Sequence, residues 1–480
     1  MSMELKRNYI AGQWMEGQSS RVNENPSDKA DPVGTYASAS ADQVNQAVGA
    51  AKKAFAAWSR TSPQARSEIL DKVGSEILAR KDELGRQLSR EEGKTLAEGI
   101  GETVRAGQIW KWFAGEALRI HGDKMAGLRP GTDAEVIREP VGVVGIITPW
   151  NFPIAIPSWK VAPALAFGNC VVLKPADLVP ASSWSIAEIL SRAGVPEGVF
   201  NLVMGAGSVV GNALINHPDI SAVTFTGSTK TGRGVADACL KRLARVQLEM
   251  GGKNPMVVLD DADLDIAVEA SFNGAFVSTG QRCTASSRLI VQQGIHDKFV
   301  SAMVERLKKT KIDHALEQGT EIGPVVDQRQ LDQDLSYIDI GQKEGAKLAW
   351  GGELLNRKTQ GFYLNCALFT ETNNDMRVNR EEIFGPVATV IRVKDYDEAL
   401  AVANDTEYGL VGGICTTSLK YASHFKRNIE TGMAMVNLPT AGVDYNVPFG
   451  GRKNSSYGPR EQGEVAREFF TVVKTVYVRP

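Results

Sequence analysis

Cys283 lies in the stretch "STGQRCTASSR", residues 278–288, among small hydroxyls, a glycine and two arginines. A cysteine that only packs sits in an apolar run, as Cys170 does in "GNCVVLKP" and Cys415 does in "VGGICTTS". Polar neighbours on both sides and a cation directly before the thiol suit a group that reacts, because the thiolate is the nucleophilic form. Glu249, in "QLEMGGKNP", follows an apolar run and precedes Gly251 and Gly252. Burial there would raise its pKa and make it usable as a general base.

Two glycine-rich junctions have the composition of phosphate-binding turns. "MGAGSVVG" carries Gly205, Gly207 and Gly211 and misses the dinucleotide fingerprint by one residue; a plain tight turn is the competing reading. "FTGSTKTGRG" has glycines at 227 and 232, but Arg233 and Gly234 follow where a P-loop needs Lys and then Ser or Thr. A glycine and hydroxyls at a helix start still offer free N–H groups and the positive end of a helix dipole. In "VVLKPADLVP", Lys174 and Asp177 stand at the end of a buried run, where doubly wound sheets bind ligands; two solvated charges are the alternative.

The elements that must position these groups follow from periodicity. "NYIAGQWMEG" reads as a short hairpin around Gly12, and residues from about 41 to 120 read as helical, with a Ser-Ala-Asp start and apolar residues at helical spacing. The many Glu, Lys and Arg of "SPQARSEILDKVGSEILARKDELGRQLSREEGKTLAE" are expected on a solvated face. From "VGVVGIITP" onward, short apolar strands alternate with amphipathic helices, which predicts βαβ units and a doubly wound parallel sheet. A second such series runs from after "QLEMGGKNP" to about residue 440. Two ribbon-like segments, around "AEVIREP" and "EFFTVVKTVYV", are placed to pair into a small appendage.

At 480 residues the chain needs two or three domains, and 43% hydrophobic against 23% charged residues is a globular balance. A formal charge of −2 gives no reason to expect nucleic acid or an anionic membrane as partner. The five cysteines lie far apart with no CxxC pair, which fits reduced thiols and a cytoplasmic setting. The histidines are single, so no metal site is expected, and neither a signal peptide nor a membrane span is read.

"TPWNFP", "KPADLVP", "FTGST", "LEMGGKNP", "TGQRCTA", "EEIFGPV" and "PFGGRKNSSYGPRE" occur in the order seen in the aldehyde dehydrogenase superfamily, which the chain resembles over nearly its whole length. The resemblance implies an α/β fold: a doubly wound, Rossmann-like NAD(P)-binding domain over 1–121 and 141–250, an α/β catalytic domain over 251–440, and a β-ribbon oligomerisation arm. The arm comprises 122–140 and 465–480, and 441–464 returns to the cofactor domain. It further implies Cys283 as nucleophile and Asn151, with the Cys283 N–H, as oxyanion donor. Glu249 becomes the base that hydrolyses the thioester, with Lys160 and Glu461 assisting proton movement. NAD or NADP would contact Ile147, Trp150, Lys174, Asp177, Gly207, Gly227, Ser228, Glu382 and Phe384. Phe152, Trp159 and Arg282 would line the substrate side, with Arg282 either receiving a substrate carboxylate or only shaping its loop.

Within the superfamily, "ITPWNFPIAIPSWKVAPAL" and "STGQRCTASSR" look most like the enzymes acting on α-ketoglutaric semialdehyde (2,5-dioxovalerate). The expected reaction is oxidation of that aldehyde to 2-oxoglutarate. Succinic or glutaric semialdehyde, betaine aldehyde, or a retired binding protein stand as alternatives. A homodimer or homotetramer is expected.

Overall fold

The computed structural model describes residues 3–479. Its first sheet runs, in spatial order, Ser456–Tyr457, Arg245–Glu249, Ala222–Thr226, Val143–Ile147, Cys170–Lys174, Phe200–Leu202, Asn8–Ile10 and Gln13–Met15. The five strands from Arg245–Glu249 to Phe200–Leu202 are parallel. Helices cover both faces, which is why these strands read as unbroken apolar runs rather than alternating ones. The edge hairpin turns through Ala11 and Gly12, both at positive φ (52° and 81°), a pairing that matches the twist of its strands.

Val143–Ile147 lies beside Ala222–Thr226, although two other strands intervene in the chain. The strand order reverses at this pair, and the crevice outside such carboxyl ends is where doubly wound sheets hold ligands. Residues 148–151 and Gly227–Ser228 begin there.

The second sheet runs Lys347–Trp350, Ala367–Thr372, Val387–Val393, Arg288–Gln292, Pro255–Val258, Val411–Cys415 and Met433–Val436, parallel except at its Lys347–Trp350 edge. Glu249 ends a strand of the first sheet and Pro255 begins a strand of the second, so the "MGGKN" between them bridges the two units.

The two ribbon segments meet. Thr471–Val478 pairs antiparallel with Asp133–Pro140, in register from Thr471 opposite Pro140 to Val478 opposite Asp133, and Asp123–Ala126 completes the ribbon. Val473 and Tyr477 on it are exposed.

The predicted helical region forms four helices, Ala41–Trp58, Pro63–Ala79, Lys81–Glu92 and Leu96–Ala117, the first opened by a Ser40–Gln43 capping box. One expectation fails here. Glu91, Glu92 and Lys94 do not face solvent; each is buried, as is Glu102 farther along. The reason is capping at a distance. The helix Pro180–Arg192 has no side-chain cap of its own, and Glu91 accepts its Ala181 and Ser182 N–H groups, each at 2.8 Å. Glu102 likewise accepts from Ile154 and Ala155, each at 3.1 Å, at the start of Ala155–Ala166. A carboxylate at a helix N-terminus satisfies orphan donors and complements the dipole.

Candidate active site

The loop carrying Cys283 is held in an unusual shape. Ser278 and Thr279, both non-glycine, sit at φ 56° and 58° in the segment leading into it. Such conformations cost on the order of 1–3 kcal/mol each and persist only where surrounding contacts dictate them. Those contacts are present. Asn254 Nδ2 donates to the Cys283 carbonyl at 2.8 Å and the Ala285 carbonyl at 3.0 Å, and Thr279 Oγ1 donates to the Gly323 carbonyl at 3.1 Å. Asn151 Nδ2 donates to the Gln281 carbonyl at 3.0 Å. Nothing in "GGKNP" marks Asn254 for a role; only the fold reveals that its amide spans the turn after the nucleophile.

Cys283 stays partly open, at the wall of a cavity of about 250 Å³ that Lys94, Glu102, Arg105, Phe152, Trp159, Arg282 and Phe449 also line. Dense surroundings nevertheless push its thiol up to about 12, and the carboxylates of Glu249, Glu382 and Glu461 add to the rise. Burial thus outweighs the cation that directly precedes the thiol in the sequence. Arg282 is itself buried, and its Nη2 donates to the carbonyls of Asn273 and Gly274 near the end of the helix Leu264–Phe276. Of its two readings, loop shaping is the one these bonds describe.

Glu249 is buried at its strand end, and Ser456 Oγ donates to its Oε2 at 2.5 Å. Burial, with Glu461 second, holds its carboxyl well above the usual range. Gly450 and Gly252 permit the crowding: a Cβ at 450 would meet Glu249 Oε1 at 2.6 Å, and one at 252 would meet the Cys283 carbonyl at 2.7 Å. Behind Glu249, Lys160 Nζ forms a buried ion pair with Glu461 and donates to Thr224 Oγ1 at 2.7 Å. Trp159 Nε1 donates to the other Glu461 oxygen at 2.7 Å. Lys160, Glu461 and Trp159 thus form one connected polar network.

Lys94, Glu102 and Arg105 were not singled out from the sequence, yet all three line the cavity. Lys94 Nζ donates to Glu102 and to the Asn151 carbonyl, each at 2.7 Å, and stands 4.0 Å above the Phe152 ring.

The crevice at the strand reversal has the groups a dinucleotide needs. Ser228 caps Thr229–Leu240 by accepting from Thr231 N–H, and Gly227 lies directly before it. Lys174 is buried, with burial lowering its amine to about 8, and it donates to the Pro175 carbonyl at 2.9 Å. Gly211 lies alongside, its Cβ position 3.9 Å from Lys174 Cδ, while a Cβ at Gly207 would meet nothing. Thr148 Oγ1 and Thr226 Oγ1, by the carboxyl ends of the two switch-point strands that Ile147 and Thr226 close, are buried and without partners. Asp177 is ion-paired with Arg21 at 2.6 Å. Glu382, raised to about 7 by burial, accepts from Gly252 N–H at 2.8 Å. Phe384, at φ 65°, meets Trp150 edge-on at 5.3 Å. Orphaned hydroxyls, an open glycine turn and a helix start at a strand-order reversal fit an extended phosphate-bearing cofactor. Among the described residues no cluster suited to a metal ion occurs.

The model of the aldehyde dehydrogenase family matches residues 14–476. An α-ketoglutaric semialdehyde dehydrogenase of Bacillus subtilis (strain 168) is 45% identical, with 98% of each chain covered. A 2,5-dioxopentanoate dehydrogenase of Saccharolobus solfataricus is 40% identical, again with 98% of each covered. Among solved structures, an NAD-dependent aldehyde dehydrogenase from Sinorhizobium meliloti superposes with a TM-score of 0.97 at 37% identity, covering 99% of this chain and 95% of that one. A betaine aldehyde dehydrogenase from Staphylococcus aureus, solved with NAD+, gives 0.96 at 33% identity, with 99% and 95% covered.

Proposed function

The chain belongs to the aldehyde dehydrogenase family, and from that premise we propose that it oxidises α-ketoglutaric semialdehyde to 2-oxoglutarate with NAD or NADP. The observation that carries this reading is that Asn151 and Glu249, from distant stretches, are brought beside the loop of Cys283, which opens on a cavity whose wall includes Lys94, Arg105 and Arg282. Relatives carrying the 2,5-dioxo-acid activity in their names support the choice of aldehyde.

Cys283 Sγ adds as its thiolate to the aldehyde carbon, its proton having passed to solvent, so that Glu249 stays deprotonated for the later step. The oxyanion that forms is held by the Cys283 backbone N–H and the second N–H of the Asn151 amide. Glu382 and Phe384 would hold the nicotinamide, which would supply the hydride acceptor. Loss of hydride from the thiohemiacetal leaves a thioester on Cys283. Water deprotonated by Glu249 cleaves that thioester, releasing the acid and restoring the thiol. Lys160 and Glu461 then carry the surplus proton away from Glu249.

Lys174 and Asp177 would hold the adenosine ribose, and Ser228 with the helix start would hold the pyrophosphate. Because Arg21 already stands beside Asp177, a ribose 2′-phosphate would find a cation there, and either cofactor is accommodated. Betaine aldehyde is disfavoured. A quaternary ammonium needs free aromatic faces, whereas Lys94 lies over Phe152 and Arg105 over Trp159. The exposed ribbon edge at Thr471–Val478 supports assembly into a homodimer or homotetramer, and five free thiols suit the cytoplasm.

The test is reduction of NAD and NADP, followed by absorbance, with α-ketoglutaric semialdehyde, succinic semialdehyde and betaine aldehyde. The highest kcat/KM with the first is expected; higher kcat/KM with either other aldehyde contradicts the assignment.

A further inference from the structure

The helix Leu96–Ala117 presents Glu98, Glu102 and Arg105 along one face, at the spacing of successive turns, and all three line the cavity beside Cys283. A carboxylate-bearing aldehyde entering that cavity must find a cation not already spent on the protein, because burying its anion unpaired is costly. The charged groups of the wall divide cleanly on this point. Glu102 is used by Lys94 and by the start of Ala155–Ala166. Glu98 accepts from Ser278 Oγ at 2.7 Å and from Thr95. Lys94 is consumed by Glu102 and the Asn151 carbonyl. Arg282 is turned to the Asn273 and Gly274 carbonyls.

Arg105 differs. Among the described residues no carboxylate lies within ion-pairing distance of it, and its one hydrogen bond runs from Nη2 to Gln462 Oε1 at 3.1 Å. Its Nε is buried without a partner, as is the amide nitrogen of Gln462 beside it. The guanidinium lies over the Trp159 ring, 5.8 Å from its centroid, on the same cavity wall. Gln462 is fully buried and held at φ 60°, a strained conformation for a non-glycine residue that sets the amide where Arg105 needs it.

We propose that Arg105 binds the far carboxylate of the aldehyde substrate and so sets the preference for acidic aldehydes, with Gln462 as the residue that positions it. This rests on reading the cavity as an aldehyde-oxidising site. Arginine suits the task because its planar fork meets a carboxylate with two parallel hydrogen bonds, and a 2-oxo acid adds a coplanar oxygen within reach of the same fork. Aldehyde carbon at Cys283 and carboxylate at Arg105 then fix the substrate at both ends.

The experiment measures kcat and KM for α-ketoglutaric semialdehyde, succinic semialdehyde and propanal in the wild type, Arg105→Met, Arg105→Lys and Arg282→Leu. Arg105→Met is expected to lose about 100-fold in kcat/KM on both acidic aldehydes, mostly through KM, and at least ten times less on propanal. Arg105→Lys, which keeps the charge but not the fork, should fall between. Arg282→Leu should lower all three alike. Equal losses for acidic and neutral aldehydes in Arg105→Met overturn the proposal. If that variant does not fold, Arg105→Lys decides: a KM for the acidic aldehydes no more changed than that for propanal is then the contrary result. The substrate assignment fails separately. A wild type that favours succinic semialdehyde discards it but keeps Arg105 if Arg105→Met erases the advantage of the acidic aldehydes over propanal. A wild type that favours α-ketoglutaric semialdehyde, with an advantage over propanal that survives Arg105→Met, keeps the substrate and discards Arg105.

Discussion

Asn151 donates its side-chain amide to the Gln281 carbonyl at 3.0 Å, joining the loop after a first-sheet strand to the loop that carries Cys283. One amide N–H is thereby spent on aligning the nucleophile, and the other is left for the oxyanion. Asn151→Ala removes both. It should lower kcat by about 100- to 1,000-fold, the usual loss for one oxyanion donor. Dissociation constants for NAD and NADP, measured by fluorescence titration, should stay close to wild type. A kcat within a few-fold of wild type contradicts the oxyanion role.

The raised thiol of Cys283 has a kinetic signature in the free enzyme. A group raised to about 12 is protonated at neutral pH, and its thiolate fraction keeps growing as pH climbs. The rate of alkylation by iodoacetamide should therefore go on rising above pH 9, past the point near 8.5 where an ordinary thiol begins to level off. A plateau reached at neutral pH would mean that the thiol is ionised at rest.

Glu249 is raised too, and it works as a base only when deprotonated. Turnover should fall as pH drops through its elevated pKa, giving an acid limb above the ordinary carboxylate range. In Glu249→Gln that limb should vanish and steady-state turnover should drop by about 100- to 10,000-fold. An unchanged acid limb in the variant assigns it to another group.

Lys160 and Glu461 are a buried pair, at 1% and 2% side-chain exposure, so removing either partner strands a charge. Glu461→Gln or Lys160→Met should each cost about 3–5 kcal/mol of stability. The double variant should lose less than the sum, because no charge is then left unpaired. Additive losses in thermal unfolding midpoints would show that the pair is not coupled.

Two of the loops were legible because they follow strands whose apolar runs end abruptly, Thr226 leading into Ser228 and Leu248 directly into Glu249, whereas Asn151 was given only by the family resemblance. Local chemistry and local pattern agree at those positions. Arg105 was illegible for the opposite reason. It sits mid-helix in "GETVRAGQIW", where nothing local marks it for chemistry, and only elements far along the chain, Trp159 and Gln462, pack on it. Glu91 and Glu102 escaped notice likewise, since nothing in a helix's own sequence says that it caps a different helix. The Arg21–Asp177 pair joins residues 156 positions apart, and no periodicity links them. The paired ribbon was foreseen as two strands; its register, which depends on both, was not.

The central claim is that oxidation passes through a thioester on Cys283. Glu249→Gln should be mixed with NAD or NADP and α-ketoglutaric semialdehyde, quenched in acid within seconds, digested, and its peptides weighed. The account predicts a 2-oxoglutaryl adduct on the peptide holding Cys283, formed with one equivalent of reduced nicotinamide and absent when Cys283 is also changed to Ala. Reduced nicotinamide produced with no adduct at Cys283, or in the absence of that thiol, would contradict it.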